Sequence, residues 1–550
     1  MANEATAKFH ARAKAERARF VEALNESVAA QDMMFRECVL KNAETAFGRD
    51  HGVRANWTMK DYQKAVPIKS YEDLAPYIER AAAGESKVLT AEDPAVFLRT
   101  SGHSGAAKKV PRNSAAAKFH ASFHLTIWGN LLEHYPELAE LDDSTLYLVR
   151  DIKPGTSTTD GGKPFVSGGS LPPAPEVADL LDGMPGTLSR WFIPPAEVNE
   201  YSERMYYRIR QAADGDLRGI VVLNPSTLIA VAQLLETHAE RLIAEMRAGT
   251  VLGVQVRPPN AARARELQAL LQQHGKLEPK HVWPRLRVIQ CWKSASPALY
   301  LPAVREKYGE HVELLPYPIV ATEASIAAPV NRHPTACALA INYTLFEFVP
   351  AEQDVAPTTQ TMSFRELEVG KEYAIVLTLP RGLYRYDIGD VLRVVDRFRD
   401  VPLVEFVRRR GDVASFTGEK LTEPHVRTAV QDAAQRAGLT LKDFICCPRW
   451  GTPPGYIFAV DANRGGTDAD AARLAEHIDT CLGEQNDEYP GKRSSGRLAP
   501  ARVVFVKPGA FMRYREKRIA QGASSTQLKE RRLQKDDAIL KELEEASPPP

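Results

Sequence analysis

The sequence predicts an α/β protein: a large N-terminal domain of mixed sheets flanked by helices, and a smaller C-terminal α+β domain able to rotate. Three observations predict it. A chain of 550 residues is too long for one hydrophobic core. From about 90 to 350, short apolar runs alternate with helical stretches, the pattern of helices laid on sheet faces. After residues 407–412 the character changes to a short α-β-β-α-β series.

Composition narrows the class. The 44% hydrophobic and 26% charged content is that of a globular protein, and the formal net charge of +1 argues against a dedicated nucleic-acid binder. Six cysteines are scattered without a C-x-x-C pair, so neither a disulfide framework nor a zinc knuckle is expected. No apolar run reaches the roughly 18 residues of a spanning helix. The first residues alternate charge with alanine and lack the apolar region of a secretory signal. The expectation is a monomer in a reducing cytoplasm, with neither nucleic acid nor membrane as partner.

In chain order, residues 3–47 are Ala-rich, with Phe9, Phe20, Leu24 and Val28 at near-helical spacing, and predict one or two amphipathic helices. STLYLVR (144–150), GIVVL (219–223), LRVIQC (286–291) and VELLPY (312–317) read as buried strands, with helices over 226–246 and 260–274. Residues 151–175, rich in Gly, Ser, Thr and Pro, read as a loop. CALAINYTLFEFV (337–349), YAIVLTL (373–379) and VLRVV (391–395) form a later group of strands. The C-terminal series is a helix at 423–437, strands at 443–449 and 456–460, a helix at 469–483 and a strand at 501–506. The last five residues are expected to be disordered.

Chemistry concentrates in a few places. Thr100-Ser101-Gly102-His103-Ser104-Gly105-Ala106-Ala107-Lys108 combines turn-forming glycines, hydroxyl donors and a mobile cation, which is what a polyphosphate requires. No Gly-Lys-Ser/Thr closes it, so it is not a Walker loop, and a Gly/Ser connector is the plain reading. Thr322 and Glu323 follow an apolar run, where a carboxylate can help hold Mg²⁺ beside a phosphate; the ordinary alternative is an exposed turn Glu. Asp390 follows Gly389 between strands and can accept two ribose hydroxyls; the ordinary alternative is a turn aspartate.

From 513 to 535 there are eight basic and two acidic residues, ordinarily a solvated helix face. A lysine from such a run can also neutralise charge developing on a phosphate. Arg408, Arg409 and Arg410 stand before Asp412 where the composition shifts, ordinarily surface charge. His120 and His124 lack the intervening Glu of a zinc motif, vicinal Cys446 and Cys447 read as packed thiols, and no G-x-S-x-G announces a hydrolase.

The loop at 100–108 resembles the T-S-G-T-T-G-x-P-K loop of the adenylate-forming enzymes. Thr100, Ser101, Gly102, Gly105 and Lys108 match; His103 and Ser104 stand for Thr, and Ala107 for Pro. Thr322 and Glu323 match the end of that superfamily's Y-G-x-T-E, with Ile319-Val320 in place of Tyr-Gly, so that the aromatic is either missing or displaced to Tyr317. Gly382 to Val391 resembles the Y-R-x-G-D signature of the Gretchen Hagen acyl-acid amido synthetases, auxin-responsive in plants. Further likenesses are Val66 to Leu74, Phe346 to Pro350, the set Asn486, Tyr489 and Arg493, and Gln521 to Lys529, so the resemblance spans most of the chain.

The resemblance implies an ATP- and Mg²⁺-dependent ligase. It would convert a carboxylic acid to an acyl-adenylate, release pyrophosphate, then pass the acyl group to an amine, an amino acid by family habit. Thr100, Ser101, Gly102, His103, Ser104, Gly105, Thr322, Asp390 and Arg410 are the implied nucleotide contacts; Lys108, Glu323 and Lys529 are the implied catalytic groups, Glu323 also holding Mg²⁺. The implied domains are 1–407, a hinge at 408–412 with Arg409 as the alternative to Arg410, a lid at 413–545 and a tail at 546–550. Two other readings remain open at this stage: a thiol acceptor such as coenzyme A, and a non-catalytic nucleotide-binding relative.

Overall fold

The four apolar runs at 144–150, 219–223, 286–291 and 312–317 form one parallel sheet. Strands β3 (Thr145–Tyr147), β6 (Gly219–Val221), β9 (Val288–Cys291) and β10 (Glu313–Pro316) lie in the order β10-β9-β6-β3. Side chains alternate between two buried layers, as the strand period requires. Leu146, Ile220, Ile289 and Leu314 face the layer shared with the helices Ser226–Thr237, Ala239–Ala248 and Ala261–His274. Tyr147, Val221, Val288 and Leu315 face the layer shared with Phe9, Ala13, Leu125 and Trp128. Burial on both faces explains why these strands read as continuous apolar runs.

This is a computed structural model. It describes residues 4–99, 108–140, 144–149, 157–167, 175–185, 194–195, 197–198, 201–294, 296–410, 413–414, 416, 419, 421–451, 453–463, 466–486, 488–494, 498–521, 531–534 and 536–545. The chain divides into two units, Met1–Phe406 and Val407–Pro550. No helix among the described residues is long and apolar enough to cross a membrane.

The N-terminal expectation of helices holds, with one correction. The helix Glu4–Asn25 buries Phe9, Phe20 and Leu24, but Val28 is 49% exposed. The helix breaks at Glu26 (φ −111°, ψ 49°) and a second one, Ser27–Cys38, starts in a new register, so the fourth apolar residue leaves the stripe. Helix Glu4–Asn25 crosses helix Ser114–His134 closely: a Cβ on Gly129 would lie 2.3 Å from the Ala13 carbonyl oxygen. The stretch 226–246 is likewise two helices, separated by the non-helical His238.

The region 151–175, expected as a loop, contains strands where it is described. β4 (Ser157–Thr158) and β5 (Pro164–Ser167) join β1 (Val96–Arg99) and β2 (Lys109–Arg112) in the order β2-β1-β5-β4. Pro164 opens β5, where its missing N–H costs little, and β5 pairs in parallel with β1. A two-strand hairpin, β7 (Thr250–Val251) with β8 (Val254–Gln255), decorates the helical side.

The later strands build a seven-stranded sheet: β11 (Ile319–Val320), β12 (Ser325–Ala328), β13 (Cys337–Leu339), β14 (Leu345–Pro350), β15 (Glu372–Leu379), β16 (Leu383–Phe398) and β17 (Val401–Arg409). Its order is β11-β12-β13-β17-β16-β15-β14. The inner face packs on the helices Ser27–Cys38 and Tyr71–Ala82 through Met34, Phe35, Leu74, Ile78, Phe348, Ile375 and Leu377.

The second unit begins with a small hairpin, β18 (Val413–Ala414) with β19 (Leu421–Thr422). The expected α-β-β-α-β series follows: helix Glu423–Ala437, β20 (Leu441–Arg449), β21 (Gly455–Ala462), helix Asp468–Gln485 and β22 (Arg502–Phe505). β20 and β21 are antiparallel, β21 and β22 parallel, the second pair needing the helical crossover. All six cysteines are free and buried. Residues 546–550, expected to be disordered, lie outside the described residues.

Candidate functional site

Helix Tyr71–Ala82 starts where Ser70 and Asp73 form a capping box, which fixes Tyr71 as the first helical residue. Its hydroxyl accepts from the Lys109 N–H at 2.7 Å, and the Lys108 ammonium sits over its ring, 4.7 Å from the centroid. Lys108 is thus aimed by a cation–π contact at the start of β2. Arg99 at the end of β1 pairs with Lys109, so the Thr100–Gly105 run joins two hydrogen-bonded strand ends. Those six residues themselves lie outside the described residues.

Thr322 and Glu323 sit in a turn between β11 and β12, closed by the Ala321 N–H donating to the Ala324 carbonyl at 2.9 Å. Glu323 is 7% exposed, so it is not the ordinary solvated turn carboxylate. Its charge reaches Tyr71, whose phenol is held above its usual range by burial first, then by Glu79 and Glu323. Glu323 also faces Arg381, whose Nη1 donates to the Thr322 carbonyl at 3.0 Å. Burial and the neighbouring Arg112 push the Arg381 guanidinium down to about 10, with Glu323 opposing.

Lys108, Thr322 and Glu323 therefore share one neighbourhood, organised by Tyr71 and Arg381. Neither organiser was singled out from sequence as a site residue. Arg381 stands directly before Gly382, at the head of the quoted ribose motif, and Tyr71 lies inside the quoted segment Val66 to Leu74; those positions were the available signals.

Asp390 is buried and lies in the same seven-stranded sheet. The expectation that it sits between strands is corrected: it lies inside β16, seven residues past Leu383 and at most ~23 Å along the strand from it. Gly389 adopts φ +81°, and its N–H donates to Asp387 Oδ1 at 2.9 Å. The β15–β16 register slips between Ala374 and Val376 at this level. A bulge, not a turn, presents Asp390.

Arg409 ends β17 and Arg410 follows it, both within the second unit. Asp412 and Lys529 lie outside the described residues. Tyr317 is buried in the apolar layer of the parallel sheet, its hydroxyl near that of Tyr147; beside that layer Val149, Leu180, Trp292 and Val320 are only partly buried. No group of three or more potential metal-ligating side chains occurs among the described residues. Glu323 is thus a single carboxylate, enough for an ion that keeps waters and substrate phosphates as its other ligands.

Known proteins resemble this chain along most of its length. The models of the GH3 family N-terminal, central and C-terminal domains match residues 16–314, 337–409 and 424–538. The 4-substituted benzoates-glutamate ligase GH3.12 of Arabidopsis thaliana is 25% identical, aligned over 94% of this chain and 94% of its own. The indole-3-acetic acid-amido synthetase GH3.3 of the same plant is 22% identical over 93% and 90%. A solved structure of the AtGH3.15 acyl acid amido synthetase in complex with 2,4-DB shares the fold, with TM-score 0.82 at 23% identity, covering 97% of this chain and 96% of that one.

Proposed function

We propose that this chain, which belongs to the GH3 family, is an ATP-dependent acyl acid amido synthetase that joins a carboxylic acid to an amino acid. The observation that carries the reading is the match of three family domain models in order along the chain. The neighbourhood of Lys108, Thr322 and Glu323 supports it.

A carboxylate and an amine do not condense at neutral pH, because hydroxide is a poor leaving group. Attack of the carboxylate on the α-phosphorus of ATP expels pyrophosphate and leaves an acyl-adenylate. Attack by the amine on the acyl carbon then expels AMP and leaves an amide. The protein's task is to hold two anions together and offset their repulsion.

In this reading Thr100, Ser101, Gly102, His103, Ser104 and Gly105 donate to the phosphates, and Lys108 adds a cation aimed by Tyr71. Glu323 with Thr322 holds Mg²⁺, which when bound screens phosphate charge. Asp390 accepts the ribose hydroxyls, Arg410 contacts the nucleotide, and Lys529 stabilises charge on the α-phosphate. Residues 408–412 serve as the hinge between domain 1–407 and lid 413–545, whose closure would exclude water from the adenylate. The acid is apolar: Val320 borders both the Thr322–Glu323 turn and the layer with Tyr317, Trp292 and Val149.

The test is ATP–pyrophosphate exchange over aryl, indole and aliphatic acids, followed by amino acids and coenzyme A with each active acid. An amide product detected by mass is expected. Exchange with no acid, or thioester as the only product, would overturn the reading. Asp390→Ala is expected to raise the KM for ATP ~10-fold or more with a smaller change in kcat, since hydrogen bonds to a charged acceptor contribute ~1.5–3 kcal/mol each. An unchanged KM would remove Asp390 from the ribose site.

A further inference from the structure

We propose that Arg381 is a resident phosphate-binding cation of the adenylation site, donating its guanidinium fork to a phosphoryl group of ATP. This rests on the adenylating function proposed above and adds a residue to it.

The argument starts from an imbalance. Arg381 is 7% exposed, yet among the described residues it forms no ion pair and a single hydrogen bond, to the Thr322 carbonyl. A buried guanidinium without a carboxylate partner is costly, because the charge has left water and nothing of opposite sign touches it. Glu323 attracts it from outside pairing distance, and Arg112, at the end of β2, repels it. Burial outweighs that attraction, which is why the guanidinium loses protons more readily than an arginine in water.

The surroundings select the ligand class. Lys108, Arg112 and Arg381 lie about Tyr71 and Glu323, and Lys109 beside them is paired with Glu79. A buried guanidinium with no carboxylate at pairing distance among the described residues, beside the turn proposed for phosphate chemistry, fits a polyanion, and a planar fork matches two phosphoryl oxygens at once.

The backbone supports a fixed placement. Gly382 adopts φ +86° and its N–H donates to the Leu379 carbonyl at 3.0 Å, tightening the β15–β16 turn. The side chain of Asn113 donates to the Pro380 carbonyl at 3.0 Å from the other side. Arg381 is thereby presented by a turn locked before any ligand arrives, so little entropy is lost on binding.

Calorimetry of ATP, AMP and pyrophosphate binding to full-length wild type, Arg381→Gln and Arg381→Lys, with thermal unfolding without nucleotide, tests the assignment. Arg381→Gln is expected to weaken ATP binding ~10–100-fold. Its Tm should stay level or rise, since an unpaired buried charge has been removed. Arg381→Lys, a point charge without the fork, should fall between. Equal loss for AMP and ATP assigns the contact to the α-phosphate; loss for ATP and pyrophosphate with AMP unchanged assigns it to the outer phosphates.

ATP affinity of Arg381→Gln within twofold of wild type overturns the proposal and leaves the adenylating reading standing. Wild type that binds no ATP overturns both. A marked fall in Tm would mean a structural role; Arg381→Lys then decides, weaker ATP binding at wild-type Tm supporting the proposal and wild-type binding overturning it.

Discussion

Lys529→Ala is expected to slow acid-dependent pyrophosphate release by ~10²-fold or more while ATP affinity stays within about twofold of wild type. Negative charge accumulates on the phosphoryl oxygens as the carboxylate attacks, so a cation that arrives for that step acts on kcat, not on ground-state binding. The chain context suits such a lysine. Helix Ala510–Ala520 precedes it, and three residues after it Arg532 is buried and paired with Asp443. The Cys446 N–H donates to the Arg532 carbonyl at 2.6 Å, and the Gln534 N–H to the Cys446 carbonyl at 2.8 Å.

The control is Lys517→Ala, which removes an equal charge from the same basic run. Lys517 is exposed and 4.0 Å from Glu542, and its loss should leave the rate within twofold. Equal losses in both variants would mean that the run acts through bulk charge. A wild-type rate in Lys529→Ala would remove that residue from the mechanism.

How much of this was legible in the sequence depended on whether a residue's role is expressed along the chain or across it. The parallel sheet was legible because both its faces are buried, which leaves unbroken apolar runs at 144–149, 219–223, 286–291 and 312–317. β5 was not, since a short strand opening on Pro164 carries no periodicity and is fixed by pairing with β1 and β4. Val28 was misplaced because a helix break at Glu26 resets a register that spacing alone cannot see. Lys108 and Glu323 could be proposed from motif likeness, but their common organisers could not. Tyr71 is 37 residues from Lys108 and 252 from Glu323, and Arg381 is 59 from its hydrogen-bond partner Thr322. Asp390 was legible as a residue but not as a bulge, because Gly389 needs the β15 register to declare its φ of +81°.

Several quoted motifs prove to be one another's packing partners. The Asn486, Tyr489 and Arg493 set closes on Asp479 and Glu419: Arg493 Nη2 reaches Asp479 at 2.8 Å, and Asn486 Nδ2 donates to the Glu419 carbonyl at 2.7 Å. Its spacing serves the fold of the second unit. The same holds more strongly in the first unit. Arg385 of the ribose motif grips Glu347 of the Phe346 to Pro350 segment and the Val66 carbonyl of the Val66 to Leu74 segment. Three separate stretches of likeness are thus a single buried junction.

That junction supports the second large expected effect, Glu347→Ala costing ~3–5 kcal/mol of stability. Arg385 and Glu347 are 3% and 2% exposed, and the fork is bidentate, Nε to Oε1 at 3.0 Å and Nη2 to Oε2 at 2.9 Å. Nη1 donates to the carbonyls of Gln63 at 2.9 Å and Val66 at 2.7 Å. Gln63 also donates to Glu347 at 2.9 Å. Truncating Glu347 leaves a buried guanidinium with two carbonyls, the Thr361 hydroxyl and no counter-charge.

Arg385 also holds φ +42°, a left-handed conformation that costs a side-chain-bearing residue ~1–2 kcal/mol and persists only when its contacts hold it. Loss of the carboxylate therefore releases strain as well as exposing charge. The double variant Glu347→Ala with Arg385→Met removes the orphaned charge, and should recover a large part of the loss, although the carbonyls of Gln63 and Val66 then lack donors. Urea unfolding of the three proteins measures both terms. A single variant that unfolds at the wild-type midpoint would mean that the junction is solvated in solution. A double variant less stable than Glu347→Ala alone would show that the guanidinium's carbonyl bonds outweigh its unpaired charge, and that the pair is held for those bonds and not for the carboxylate.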